Sequence, residues 1–407
     1  MKTLDEQAIS LHKKYQGKLI TSTLVSVKNR KDLSLVYTPG VGAVSRLISQ
    51  NPNLAYDLTW RGRTVAVISD GSAVLGLGNI GPEAALPVME GKSLLMKQFA
   101  GVDSVPLVIN TQDPAEIIRF VTNISPSFAG INLEDISAPR CFQIEESLQN
   151  IGIPVFHDDQ HGTAIVVSAA LRNAAKVVGK RFEDLQVVII GAGAAGLATA
   201  KMLLGLSCMS DRCEIIKGNS RVKNVIVIDK TGALLPSRAN QNIYKQGVAS
   251  LSNIDRRTGS ALDVIAGADT LIGVSGPNSI TPPMIGKMAG KPIVFAMANP
   301  IPEIMPQAAK KAGAAIVATG RSDYPNQINN VLAFPGVFLA VIKGRLTTIT
   351  PEMKQAASDA IASLVQNPTP DHIVPDPFTP RLAEIVAAAI LTKTRGQAPA
   401  GEPGSIQ

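Results

Sequence analysis

"LQVVIIGAGAAGLATAKMLL", residues 185–204, decides the fold. A β-branched run, Val187 to Ile190, reads as a buried strand. Gly191, Gly193 and Gly196 follow as G-x-G-x-x-G, with Ala194 and Ala195 opening the next helix. In that setting each glycine has a task. The first permits the tight turn, the second admits a pyrophosphate to the backbone, and the third lets helix and strand pack closely. The spacing therefore predicts a dinucleotide site in a doubly wound α/β unit. A plain tight turn between strand and helix is the alternative.

Working outward, strand-like runs recur at 222–232, 268–276, 291–300 and 313–320. They extend this unit over residues 161–330, beginning with a helix from Thr163, with Gly162 as a turn and Thr163 as its N-cap. Asp229, at the end of "VIVID", is the candidate for the cofactor ribose. It lies further from the glycines than the usual ~20 residues. The extra length, 207–221, reads as an inserted polar loop. Asp229 favours NAD, since its charge opposes a 2′-phosphate, while Lys230 beside it leaves NADP as the alternative.

Residues 1–160 alternate strands and helices and form a second α/β unit. Within it, 83–100 reads as a helix broken at Gly91. Helices within 331–395 are expected to pack back onto this unit, and 396–407 to be a frayed tail. Two strand-like runs end on acids, Glu134 and Asp135 in "INLEDI" and Asp158 and Asp159 in "IPVFHDD". Carboxylates at the C-terminal ends of strands in an open α/β sheet face the ligand crevice. Clustered, they repel unless a cation sits among them, and oxygen donors suit Mg²⁺ or Mn²⁺. The alternative is that they cap the helices that follow. His157 and His161 flank the second pair, and a hard-cation site does not need them. They read as satisfied structural histidines. Tyr37 beside the Thr-Pro-Gly turn, and Lys92 beside Gly91, are candidates for proton transfer. Taken singly, Tyr37 is equally well a core tyrosine, and Lys92 is better read as a surface lysine.

Composition narrows the class. The 407 residues are 45% hydrophobic and 17% charged, enough for a large core. Net charge is +7, but the basic residues are scattered and aromatics make up 4%, which disfavours nucleic acid. No apolar run has membrane-spanning length, and a soluble cytoplasmic protein is expected. The three cysteines, Cys141, Cys208 and Cys213, show no framework spacing, so no structural disulfide is expected.

Together, "YTPGV", "SDGSAVLGLGNIGPEAALPVMEGKSLLMK", "INLEDI", "IPVFHDDQHGTAIV", "VVIIGAGAAG", "GVSGPNSIT", "FAMANP" and "NQINNVLAFPG" resemble the malic enzymes. The likeness is to their short bacterial and archaeal type, which lacks a phosphotransacetylase-like extension. The resemblance implies metal-dependent oxidative decarboxylation of L-malate to pyruvate with NAD(P), in a homodimer. A non-redox, malolactic-type decarboxylation is the alternative. It assigns Tyr37 as general acid, Lys92 as general base with Asp158 as its partner, and Glu134, Asp135 and Asp159 as metal ligands. It places Asn299, Asn329 and Asn330 at malate and the nicotinamide end. The larger members carry an arginine where this chain has Ala73, flanked by Ser72, so another donor must hold that substrate carboxylate.

Overall fold

The computed structural model describes residues 3–394, so the expected tail lies outside the described residues. Two sheets organise the chain. The first is wholly parallel, in the order β2-β1-β3-β4, with β1 Thr64–Ser69, β2 Asp103–Val108, β3 Gly130–Leu133 and β4 Val155–His157. The second has the order β12-β11-β10-β5-β8-β9. Its strands are β5 Gln186–Ile190, β8 Asn224–Asp229, β9 Gly232–Ala233, β10 Thr270–Gly273, β11 Ile293–Ala296 and β12 Ile316–Thr319. All are parallel except the short β9. The β5 strand lies at the centre and the chain winds outward to both sides, as the glycine motif predicted.

A helix, Asp158–Val178, joins the two sheets, and 15 of its 21 residues are buried. It is apolar nearly all round, which suits a helix inside a core rather than on a surface. One contiguous apolar core includes Val67 and Leu133 of the first sheet and Ile189 and Phe295 of the second, with Ile165 and Leu171 of this helix between them. The Phe334–Gly344 and Leu382–Leu391 helices return to pack on the Pro82–Ala100 helix.

Four local expectations need correction. The 158–178 helix starts at Asp158, five residues before Thr163. Two acids in the first turn complement the exposed N–H groups there, and that outweighs a glycine in the second turn. Gly91 does not break the Pro82–Ala100 helix. Burial of Ala85, Met89 and Met96 on one face exceeds the ~1 kcal/mol that a helical glycine costs. The stretch 207–221 is not a plain loop. It contains an antiparallel hairpin, β6 Leu206–Met209 and β7 Arg212–Ile215. Finally, Cys208 and Cys213 are disulfide-bonded. The two-residue turn sets them directly opposite, with Cα atoms 4.1 Å apart, so the short spacing is what makes the bridge feasible.

Among the described residues, no helix is long and apolar enough to cross a membrane. The first three helices, Leu4–Tyr15, Arg30–Val36 and Val41–Gln50, contain no buried residue.

Candidate active site

Strand register builds the acidic cluster. In β3 and β4, Leu133 pairs with His157, so the next residues, Glu134 and Asp158, then Asp135 and Asp159, leave adjacent strand ends. Carboxylate oxygens of Glu134, Asp135 and Asp159 lie within 4.8 Å of one another. The Asp135 N–H donates to Asp159 Oδ2 at 2.8 Å, and Asn132 Nδ2 donates to Glu134 Oε2 at 2.9 Å. Asp135 adopts φ 54°, a left-handed conformation that a non-glycine residue holds only when its surroundings impose it.

Lys92 enters this cluster from the 82–100 helix. Its Nζ lies 2.8 Å from Glu134 Oε1, bonds Asp158 Oδ2, and stands 4.4 Å from the Phe334 ring centroid. The lysine is 8% exposed, which excludes the surface reading. Asn330 Nδ2 donates to Asp158 Oδ2 at 2.9 Å, and Thr163 Oγ1 donates to Asn330 Oδ1 at 3.0 Å. Gly162 is obligatory here, because a Cβ would stand 1.9 Å from Asp158 Oδ1.

The charges do not balance. Four carboxylates face one ammonium. Burial, followed by the charge of Asp159, raises the Asp135 carboxyl to about 7. Burial also raises Glu134 and Asp158, against the pull of Lys92. Burial by itself would lower Lys92, but Asp158 and Glu134 outweigh it and hold the ammonium protonated. Asp135 Oδ2 is buried without a hydrogen-bond partner. An all-oxygen donor set with an excess of negative charge and an orphaned carboxylate oxygen fits a hard divalent cation.

The histidines divide. His161 Nε2 lies 2.8 Å from Glu145 Oε1 and is a satisfied support. His157 is fully buried, yet neither ring nitrogen has a hydrogen-bond partner, and Nε2 stands 3.6 Å from Asp159 Oδ2. The expectation of a satisfied histidine is thus correct only for His161.

In the glycine loop, Gly191 has φ 120°, and a Cβ there would stand 2.5 Å from Val274 O. A Cβ on Gly196 would stand 1.8 Å from Gly191 O, while one on Gly193 would meet nothing within 4 Å. Close packing and an open approach fall where the motif requires them. Gly193 caps the helix that begins with Ala194 and Ala195. Asp229 ends β8 but is not a free acid. It accepts from Arg238 Nη2 at 2.6 Å and Lys245 Nζ at 2.7 Å. Despite burial, these cations hold its carboxyl below the usual range.

Asn299 sits where the two units meet. Its backbone oxygen abuts Gly76 and its amide abuts Gly320. Asn329 Oδ1 is occupied in accepting the Val331 N–H. Tyr37 is not gathered into the cluster. The residue is 65% exposed, and no hydrogen bond, ion pair or ring contact ties it to Lys92. It is not a core tyrosine either.

Sequence reasoning passed over Arg238, Lys245 and Arg140. Arg140 Nη2 donates to Ser137 Oγ at 2.8 Å and lies 3.5 Å from Asp70 Oδ2. The Asp70 carboxylate also accepts from Ser72 Oγ at 2.6 Å, which puts a guanidinium against the Ser72–Ala73 loop. Its position directly after "INLEDISAP" was the available signal.

Comparison with known proteins gives a consistent result. Residues 16–115 match the family model described as malic enzyme, N-terminal domain, and residues 160–394 match malic enzyme, NAD binding domain. A bifunctional malic/malolactic enzyme from Bacillus subtilis is 51% identical over 392 residues, 95% of this chain and 92% of that protein. An NAD-dependent malic enzyme from Geobacillus stearothermophilus is 51% identical over 92% of this chain and 76% of its own length. The crystal structure of an NAD-dependent malic enzyme from Thermotoga maritima superposes with a TM-score of 0.88 at 46% identity, covering 94% of this chain and 98% of that one.

Proposed function

The chain belongs to the malic enzyme family, and from that premise we propose that it converts L-malate to pyruvate and CO₂ with reduction of NAD(P). The observation that carries this reading is Lys92, sealed between Asp158 and Glu134 beside a three-carboxylate cluster.

Glu134, Asp135 and Asp159 would hold Mg²⁺ or Mn²⁺, which supplies Lewis-acid polarisation of the substrate oxygens. With Glu134 committed to that ion, less of its charge would act on Lys92, which would make the lysine a better proton acceptor. Neutral Lys92 then takes the C2 hydroxyl proton, and Asp158, fixed by Asn330, orients the amine. The 191–196 turn would hold NAD(P), which when bound would supply the hydride acceptor for C2. The C4 carboxylate leaves as CO₂, its bonding electrons forming the pyruvate enolate, and Tyr37 protonates C3 to give pyruvate. Asn299, at the junction of the units, and Asn329 and Asn330 line the malate and nicotinamide end. Arg140, held beside the Ser72–Ala73 loop, would supply the donor for a malate carboxylate that Ala73 cannot. Asp229 orients the ribose, and its two cations also suit a 2′-phosphate.

The unit of function is proposed to be a homodimer in the cytoplasm. In support, the first two helices and the residue that follows them leave Ile9, Leu11, Leu35, Val36 and Tyr37 exposed, an apolar face that a second copy would cover. Tyr37 would then serve whichever protomer's Lys92 the covered turn reaches. Mixing inactive Tyr37→Phe and Lys92→Ala chains decides this, since recovered turnover requires sharing across the interface.

Steady-state assays with L-malate, NAD and NADP in parallel, with Mn²⁺ or EDTA, test the reaction. Metal-dependent absorbance at 340 nm with matching pyruvate is expected. Lactate without net reduced cofactor would support the second reading, non-redox decarboxylation, which the malolactic activity in the Bacillus relative's name favours.

A further inference from the structure

Behind the acidic cluster lies a cavity of about 310 Å³. It is enclosed by the Arg140–Ser147, Asp158–Val178 and Ala194–Leu203 helices, the β6–β7 hairpin, and the start of the Pro351–Ser363 helix. It contains none of Lys92, Glu134, Asp135, Asp158, Asp159 or the glycine turn. Its walls are largely apolar, with Phe142, Ile216 and Ile349 among them.

Two lysines, Lys201 and Lys354, reach this cavity. Neither ammonium has a carboxylate within ion-pair distance or a hydrogen-bond acceptor among the described residues. Lys201 has only the Phe142 ring, 5.7 Å away. The two acids in the wall are committed elsewhere. Glu145 accepts from His161 Nε2, from Gln160 Nε2 at 2.9 Å and from His157 N at 3.2 Å. Glu146 accepts from Ser210 N at 2.7 Å and Ser210 Oγ at 3.0 Å. Burial drives Lys354 down to about 8; Glu145 opposes this and Lys201 reinforces it. The charge of Glu145 and Glu146 reaches these lysines only from beyond ion-pair distance, and buried ammoniums without a direct partner cost free energy that a bound anion returns.

We propose that this cavity is an effector site for a small dianion with an apolar body, a dicarboxylate or a phosphate monoester. Lys201 and Lys354 hold the two negative charges, and the apolar walls take the carbon skeleton. The pocket also has a mechanical link to the front of the helix. Glu145, in the pocket wall, holds the backbone N–H of His157, and the next two residues are Asp158 and Asp159. An anion that draws on the pocket cations changes the field on Glu145, and the coupling between the two sites is reciprocal.

The test is isothermal titration with succinate, inorganic phosphate and 3-phosphoglycerate on Asp159→Asn, in which occupation of the active site is weakened, and on wild-type chain. Saturable binding below about 10 mM by at least one probe is expected in both. The succinate and phosphate-ester arms separate the two ligand sources. In the Lys201→Gln/Lys354→Gln chain, affinity for that probe should fall by about tenfold or more, with basal turnover within about twofold of wild type. As a check independent of that variant's folding, pyridoxal 5′-phosphate followed by borohydride should label Lys201 or Lys354 in wild-type chain, with protection by the bound probe. Absence of binding by all three probes, unchanged affinity in the folded double variant, or label confined to other lysines would overturn the proposal. The binding arms read out whether or not malate is the substrate.

Discussion

The two faces of the 158–178 helix carry opposite imbalances. On its front, Glu134, Asp135, Asp158 and Asp159 face Lys92 alone. On its rear, Lys201 and Lys354 reach a cavity whose acids, Glu145 and Glu146, are already bonded. A folded chain tolerates a buried charge only where something compensates it. The front lacks positive charge, and at the rear the acids are bonded to other groups and leave the lysines without a direct partner, so each points to a different kind of ligand. The same helix, within the three-residue step from Asp158 to His161, thus serves a cation on one side and an anion on the other.

The strongest way to break the front is to remove a ligand. Asp159→Asn takes one charge from the cluster and should lower Mn²⁺-dependent turnover by about 10³-fold or more, with Mn²⁺ affinity falling in parallel by titration. Retained metal affinity would remove Asp159 from the ligand set. Lys92→Ala should lower malate oxidation by about 10²–10⁴-fold. Because it leaves the acids less compensated, it should also tighten Mn²⁺ binding, a sign opposite to that of Asp159→Asn. If both variants weaken the metal alike, the front is not governed by charge balance. Gly162→Ala is smaller and more local. Its Cβ displaces the Asp158 carboxylate, so turnover should drop by about 10–100-fold, while affinity for the rear-pocket probe stays at the wild-type value. Loss at both faces would mean that the helix itself had moved.

The asymmetry between the faces also marks what the sequence could disclose. The front was legible because its acids end strands, and alternation of strand and helix fixes where strand ends point. The glycine loop was legible for a related reason: Gly191 and Gly196 have no room for a Cβ, and such positions leave a mark in the sequence. The rear was not legible. Lys201 and Lys354 stand 153 positions apart in the chain, on two helices whose packing no local pattern encodes. Asp229 fell between these cases. Its place at the end of β8 followed from the motif, but its partners Arg238 and Lys245 come from the turn and helix beyond β9. The Thr163 error arose from reading a hydroxyl beside a glycine as a cap, when that hydroxyl bonds Asn330 across 167 positions. Cys208 and Cys213 were misjudged because only the hairpin makes their spacing meaningful.

The smallest expected effect tests whether His161 is a support that links the faces or a proton carrier. Burial, against the pull of Glu145, lowers its imidazole to about 4, and His161 in turn helps hold Glu145 at about 2 despite burial. Between these and neutral pH the ring is uncharged and donates Nε2–H to an ionised carboxylate. The unfolded chain takes up the histidine proton nearer 6.5, so this contribution to stability is complete above that pH and is lost as pH falls toward 4. His161→Gln keeps a donor for Glu145 but cannot titrate. It should leave turnover within about twofold and flatten the fall of Tm between pH 6.5 and 4. His161→Phe leaves Glu145 one donor short and should cost about 1–3 kcal/mol at pH 7, read by denaturant unfolding. A turnover profile that loses an inflection near pH 6 in His161→Gln would instead make this histidine part of the chemistry, and the rear face would no longer be separate from the front.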